Sequence, residues 1–106
     1  MPEGAWGGEH VALIVRAAGA DVDVDCAHGE ITAPLRLEAD GSFRLPGYYV
    51  RDVGPAFDPE QRRPTTYFGS SDGRQLTLSF TLVDTGETVG PFTATLGGTA
   101  ELLECR

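Results

Sequence analysis

The sequence contains no lysine, no long apolar run and only two cysteines. All eight basic residues are arginine, against 16 acidic residues, for a net charge of −8. A nucleic-acid-binding surface needs a dense basic patch, and the nearest approach to one is Arg62-Arg63. No segment approaches the ~18–20 apolar residues that a transmembrane helix needs. The sequence therefore predicts neither nucleic-acid binding nor membrane insertion, and its arginine, alanine and glycine usage suggests a GC-rich bacterial genome.

Helical periodicity is also missing, because 14 glycines and seven prolines interrupt every stretch of the chain. Strand-like alternation is abundant instead. Val22 and Val24 alternate with aspartates, which is typical of a half-buried strand with its carboxylates in water. Because 106 residues fit one domain, we expect a single domain over 1–106.

About eight short strands separated by turn signals predict an all-β fold. Sequential hairpins give an eight-stranded antiparallel up-and-down β-barrel, and a β-sandwich is the alternative. A strand is expected around Leu35 and Leu37, and the last strand around Glu101 to Cys105. Turn positions then predict which residues face each other across each hairpin. These expected pairs are Val15 with Val22, Glu9 with His28, Tyr67 with Leu78, and Ala94 with Glu101.

The two cysteines are expected at one end of this barrel, which we call the lower end, the end that carries Glu9. Both Cys26 and Cys105 reach it on the inward face, from strands that flank the first strand. The sequence therefore predicts a Cys26–Cys105 disulfide, with two buried free thiols as the alternative. Closing so long a loop would stabilise the fold by ~4–5 kcal/mol in the chain-entropy model. A disulfide favours a secreted or periplasmic protein, although the chain shows no signal peptide.

Polar residues collect at the same predicted end, beneath an irregular Pro-rich loop at about 52–64. Small barrels of this kind are mostly filled by their own side chains, so a ligand or partner is expected at the mouth. The candidate ligand-binding residues are Trp6, Glu9, His28, Tyr49, Arg51 and Phe57. Tyr48, Tyr49 and Tyr67 either line a ligand slot or pack in the core.

A metal site is a second interpretation of the same end, because histidine paired with a carboxylate suits metal binding or acid–base catalysis. Its ligands would be Glu9, His10, His28 and Glu30, which converge only if residues 27–30 bend. The alternative is a His–Glu pair satisfying itself at a strand end. No residue is assigned as catalytic and no cofactor is predicted beyond this metal ion, so binding is favoured over enzymatic activity.

Gly4-Ala5-Trp6, ahead of the first regular alternation, resembles the G-x-W motif that opens the lipocalins, the avidins and related calycin barrels, including small bacterial metalloprotease inhibitors. The resemblance implies a ligand-binding barrel or a secreted one-disulfide inhibitor, with a structural role for Trp6. The tight Ala17–Ala20 turn and the missing C-terminal helix depart from the lipocalins. Cys26-Ala27-His28-Gly29, following Gly7-Gly8-Glu9-His10, also resembles bacterial exported proteins. We therefore expect a small exported binding module for a small molecule or a protein, with a protease-inhibitor-like domain and a metal-binding protein as alternatives.

Overall fold

The computed structural model describes residues 3–24, 27–51 and 63–101, which contain eight β-strands and no helix. None of these residues forms a helix long and apolar enough to cross a membrane. The strands are β1 (Gly4–Gly8), β2 (Val11–Arg16), β3 (Gly19–Val24), β4 (Ala27–Ile31), β5 (Ser42–Arg51), β6 (Arg63–Ser71), β7 (Gln75–Leu82) and β8 (Thr88–Leu96).

Each strand pairs antiparallel with the next, and β8 pairs with β1, so the sheet closes into an up-and-down barrel. The predicted fold class is confirmed. The connections after β1, β3, β5 and β7 lie at the lower end, beside Glu9. Those after β2, β4 and β6 lie at the other end, which we call the upper end.

The barrel interior is filled by apolar side chains from every strand, because alternate residues point inward. Phe80 lies at the centre of an aromatic group, with ring centroids 5.0 Å from Tyr49 and 5.3 Å from Tyr67. The largest fully buried side chains are Trp6, Tyr67, Phe80, Leu13, Ile31, Leu76, Leu78, Leu82, Val11 and Val22.

Two predicted strands are placed differently. β1 begins at Gly4, ahead of the alternation that predicted the first strand. The alternation does not extend to β1, because Trp6 alone among its five residues has a large apolar side chain. The expected strand at Leu35 and Leu37 is wrong, since residues 32–41 form no strand. Leu35 is instead buried as part of a segment that covers the upper end, with Leu37 packed against the same core.

Two predicted hairpin registers are wrong by two residues. Val15 pairs with Ala20 rather than Val22, and Tyr67 pairs with Phe80 rather than Leu78. In the second hairpin, the Asp72 carboxylate accepts hydrogen bonds from two successive backbone N–H groups, which lengthens the turn. A shift of two leaves every side chain on its predicted face, because the period of a strand is two.

The predicted hairpin at Gly97-Gly98, with Ala94 facing Glu101, is also wrong. Residues 97–101, which we call the strap, run parallel to β1 and end where Glu101 bridges Glu9. The strap lies against Gly7, on the face of β1 opposite the Trp6 side chain. A Cβ at Gly7 would clash with the backbone of Gly98, so this close approach requires glycine.

Candidate functional site

The turn between β1 and β2, at Glu9-His10, is the main described feature of the lower end. His10 has φ 68°, a left-handed conformation, and it is the one non-glycine residue with positive φ among the described residues. This conformation costs an ordinary residue about 1–2 kcal/mol. Strained residues cluster at functional sites. The His10 side chain is 43% exposed, so it is accessible to a ligand or partner.

The strap and the Glu9 carboxylate contact His10 in this conformation. The His10 backbone N–H donates to the Glu101 carbonyl at 2.7 Å, and the Glu101 N–H donates to the Gly8 carbonyl at 3.0 Å. The Glu9 carboxylate lies 3.5 Å from His10 Nε2. The turn therefore presents an imidazole beside the exposed Glu9 carboxylate, and the strap holds its backbone.

Other candidate residues at the lower end lie partly outside the described residues. Val24 and Ala27, which pair with each other there, flank residues 25 and 26. β5 ends at Arg51 and β6 begins at Arg63, so the predicted loop is shorter than 52–64 at its second end. Phe57 and both cysteines fall outside the described ranges. The Cys26–Cys105 disulfide therefore stays a prediction.

His28 and Glu30 lie on the outer face of β4, because Ala27, Gly29 and Ile31 between and beside them are buried. His28 pairs across the sheet with Asp23 and Val50. The predicted pairing of His28 with Glu9 is therefore wrong. It assumed that residues 22–28 form one strand, whereas β3 ends at Val24 and a separate strand, β4, begins at Ala27.

Glu30 belongs to a polar network on the outer face of the barrel, which we call the outer network. One Glu30 oxygen accepts a hydrogen bond from the Tyr48 hydroxyl at 2.9 Å. The other lies 3.0 Å from the Arg16 guanidinium, which also contacts Asp21 at 3.1 Å. Both Glu30 oxygens thus have hydrogen-bond partners within the sheet, Arg16 on β2 and Tyr48 on β5. This carboxylate therefore helps to hold neighbouring strands together. Sequence reasoning missed Arg16 and Asp21, although their places on either side of the β2–β3 turn put opposite charges on one face.

Trp6 and Tyr49 are core residues, with exposures of 1% and 8%. Gly4 opens β1 with φ 127°, a conformation that favours glycine, and Trp6 follows on the inward face. The described residues thus give the G-x-W motif a structural meaning: the glycine starts the strand and the tryptophan fills the barrel.

The proposed metal ligands lie in two places. Glu9 and His10 share the β1–β2 turn, whereas His28 and Glu30 lie on the outer face of β4. Within residues 3–24, 27–51 and 63–101, no group of three or more His, Cys, Asp or Glu side chains could hold a metal ion.

Two open grooves lie at the upper end. One, of about 380 Å³, is lined by residues that include Val15, Leu35 and Arg36. The other, of about 260 Å³, lies between Asp40 and Asp72. Hydrogen bonds from Ser42 lower the pKa of Asp40, and backbone N–H groups of Gln75 and Arg74 lower the pKa of Asp72. Both carboxylates are therefore already engaged in shaping their own turns.

Comparison of the chain with protein families, with curated proteins and with solved structures found no match. The class of the protein is accordingly defined by its architecture, a closed eight-stranded antiparallel β-barrel with a filled interior.

Proposed function

We propose that this protein is a binding module that recognises an extended segment of another protein at the lower end of its barrel. The filled interior supports a protein partner over a small molecule held inside. Trp6, Tyr67 and Phe80 occupy the space where a barrel carrier would hold its ligand. Recognition then depends on the outer surface and the connections between strands.

The observation that carries the choice of end is the strained His10 turn. A glycine at position 10 would adopt φ 68° without cost, yet this position carries a half-exposed imidazole beside Glu9 and Glu101. Histidine and carboxylates together offer hydrogen-bond donors and acceptors to the backbone of a peptide. At the upper end, Leu35 is buried against the core, and the carboxylates of Asp40 and Asp72 are already engaged in their own turns.

Gly4-Ala5-Trp6 resembles the G-x-W motif of the calycin barrels, and the closed barrel is compatible with a calycin-like fold. The proposed mode of binding is like that of the small secreted inhibitors of that group. On this view the barrel is a rigid scaffold, and the connections at its lower end contact the partner. Export to an oxidising compartment belongs to the same proposal, because a Cys26–Cys105 disulfide would form there.

A peptide-display selection against the immobilised protein supplies a defined probe, since selected peptides bind preferentially to surfaces suited to recognition. We expect His10→Gly to weaken binding of the selected peptides at least ~10-fold, equivalent to about 1.4 kcal/mol. The same substitution should raise the free energy of unfolding by about 1 kcal/mol, because it relieves the left-handed strain.

Glu38→Ala is the control, because Glu38 is exposed at the upper end and no side-chain contact is seen for it within the described residues. It should leave peptide binding unchanged. Peptides that bind wild type and His10→Gly equally, or a selection that yields no binder, would overturn the proposal. If His10→Gly raised the free energy of unfolding but left peptide binding unchanged, the left-handed conformation of His10 would have no role in binding.

A further inference from the structure

The smaller groove at the upper end, of about 260 Å³, lies beside the outer face of β6 and β7. We call it the polar groove, because each of its lining residues within the described chain has a side chain that forms hydrogen bonds, and none of them is basic. These residues are Asp40, Ser70, Ser71, Asp72, Gln75 and Thr77. The polar groove therefore presents hydroxyl, amide and carboxylate groups together.

The two carboxylates of the polar groove are fixed in position by the turns that carry them. Asp40 Oδ1 accepts hydrogen bonds from the Ser42 N–H at 3.0 Å and from the Ser42 hydroxyl at 2.6 Å. Asp72 Oδ1 accepts from the N–H groups of Arg74 and Gln75, both at 2.8 Å. Within the described residues these bonds engage only Oδ1 of each carboxylate, which leaves Oδ2 as an acceptor for a ligand. Because the carboxylates are already oriented, binding to them costs little side-chain entropy.

Hydroxyl groups lie side by side on the sheet next to these carboxylates. Ser70 on β6 pairs directly with Thr77 on β7, and both are exposed on the outer face. Directly opposed residues have Cβ atoms about 4.5–5.5 Å apart. Ser42 pairs with Ser70 on one side, and Thr93 pairs with Thr77 on the other. A row of hydroxyl side chains, each able to donate and to accept, therefore crosses four strands at this level.

The sheet beside the polar groove is nearly free of charged residues, although the chain has a net charge of −8. β7 and β8 contain no charged residue, and β6 contains only Arg63, at its first position. Phe68 is half-buried on the same outer face, at the next outward position from Ser70 and about 7 Å along the strand. The face of an aromatic ring carries partial negative charge and attracts polarised C–H groups. A neutral ligand thus meets hydrogen-bonding groups in the groove and an apolar ring beside it, with few charges to desolvate.

We propose that the polar groove binds one unit of a neutral saccharide, with an adjoining unit packed on Phe68. A sugar ring carries neighbouring hydroxyls that donate and accept, and its C–H groups form an apolar face. The Oδ2 atoms of Asp40 and Asp72 accept hydrogen bonds from its hydroxyls, and the hydroxyls of Ser70 and Thr77 complete its contacts. The groove is slightly smaller than the ~300–1,000 Å³ of sites for drug-sized ligands, so it suits a single ring. This site goes beyond the proposed function, because it lies at the opposite end of the barrel from His10.

Titration with neutral trisaccharides, followed in amide NMR spectra, tests this proposal. The probes are maltotriose, cellotriose and tri-N-acetylchitotriose. We expect at least one of them to shift the amide signals of residues 70–77 and to saturate them with a Kd of about 1 mM.

Two substitutions should weaken this binding, each by about 10-fold. Asp72→Asn keeps an oxygen that accepts the hydrogen bonds of the turn but replaces the other oxygen with a donor. Thr77→Val removes an exposed hydroxyl at nearly constant size. Thr99→Val is the matched control, because it makes the same change at an exposed position of the strap, and it should leave the affinity unchanged.

The proposal is overturned if none of the three sugars produces saturable shifts at residues 70–77, or if Asp72→Asn and Thr77→Val bind as well as wild type. Calcium chloride is titrated separately, since two carboxylates also suit a cation. Shifts at residues 70–77 that calcium causes and the sugars do not would assign the groove to a cation and reject the saccharide. Peptide binding at His10 is a separate readout, so failure of either proposal leaves the other standing.

Discussion

Tyr67 places a single hydroxyl at the centre of the barrel, and replacing it with phenylalanine tests how the core is held together. Its hydroxyl donates to the Tyr48 carbonyl at 2.7 Å. A Cβ at Gly29 would collide with this hydroxyl, and a Cβ at Gly47 would collide with the ring. Tyr67→Phe keeps the ring and removes the hydrogen bond. Losing one partner of a buried hydrogen bond costs about 1–3 kcal/mol. We therefore expect the free energy of unfolding of Tyr67→Phe to be lower than that of wild type by this amount at pH 7.

The same hydroxyl makes stability depend on alkaline pH. Burial raises the pKa of Tyr67, so the folded state keeps a proton that the unfolded state loses above about pH 10. The stability that this group confers is therefore complete below pH 10 and falls as pH rises toward the folded pKa. Well above pH 10 the loss approaches about 1.4 kcal/mol per pH unit. Between pH 10 and pH 11 the deficit of Tyr67→Phe should shrink by about 1 kcal/mol, because this tyrosine is only half ionised in the unfolded state at pH 10.

Urea unfolding at pH 7, 10 and 11 measures both effects. Tyr49→Phe is the matched control, since it removes a hydroxyl from another buried ring that packs on Phe80. A difference between wild type and Tyr67→Phe that stays constant from pH 7 to pH 11 would refute the pH argument. Equal stability at pH 7 would refute the role of the hydrogen bond.

Three further outcomes are expected. Gly7→Ala should destabilise by about 1–3 kcal/mol, because the added methyl displaces the strap, whereas exposed Ala5→Ser should change thermal unfolding little. Asp72→Ala should weaken the dependence of stability on acid pH: the lowered pKa of Asp72 makes its contribution complete above pH ~4 and lost as pH falls further. Equal acid dependence in a urea titration would contradict this. An intact-mass spectrum should gain two hydrogen atoms on reduction if Cys26 and Cys105 are joined, and an unchanged mass would reject the disulfide.

The fold class was predictable because it depends on local patterns. Alternation such as Val22 and Val24 among aspartates marks which side of a strand is buried, and turn residues such as Asp72-Gly73 mark where strands end. Eight such strands in sequence, each able to pair with its neighbour, favour a closed barrel. The inward faces were also predictable, since a register error of two residues does not move a side chain to the other face.

The candidate site was less predictable, because it depends on contacts between distant parts of the chain. The left-handed conformation of His10 follows from the strap that meets it at Glu101, and the outer network joins Arg16 to Glu30 across three strands. No periodicity in the sequence reports such contacts. His28 and Glu30 were grouped with Glu9 because no glycine or proline between Val24 and Ala27 marks the change from β3 to β4.

The amino-acid sequence by itself determined that this chain forms strands, where most of them turn, and which side chains fill the barrel. These properties come from residue spacing and turn chemistry. Only the tertiary structure decided the register, the place of β1, the path of the strap over Gly7 and the separation of His28 from Glu9. Each of these depends on the fit of backbone against backbone, which is set when the barrel closes.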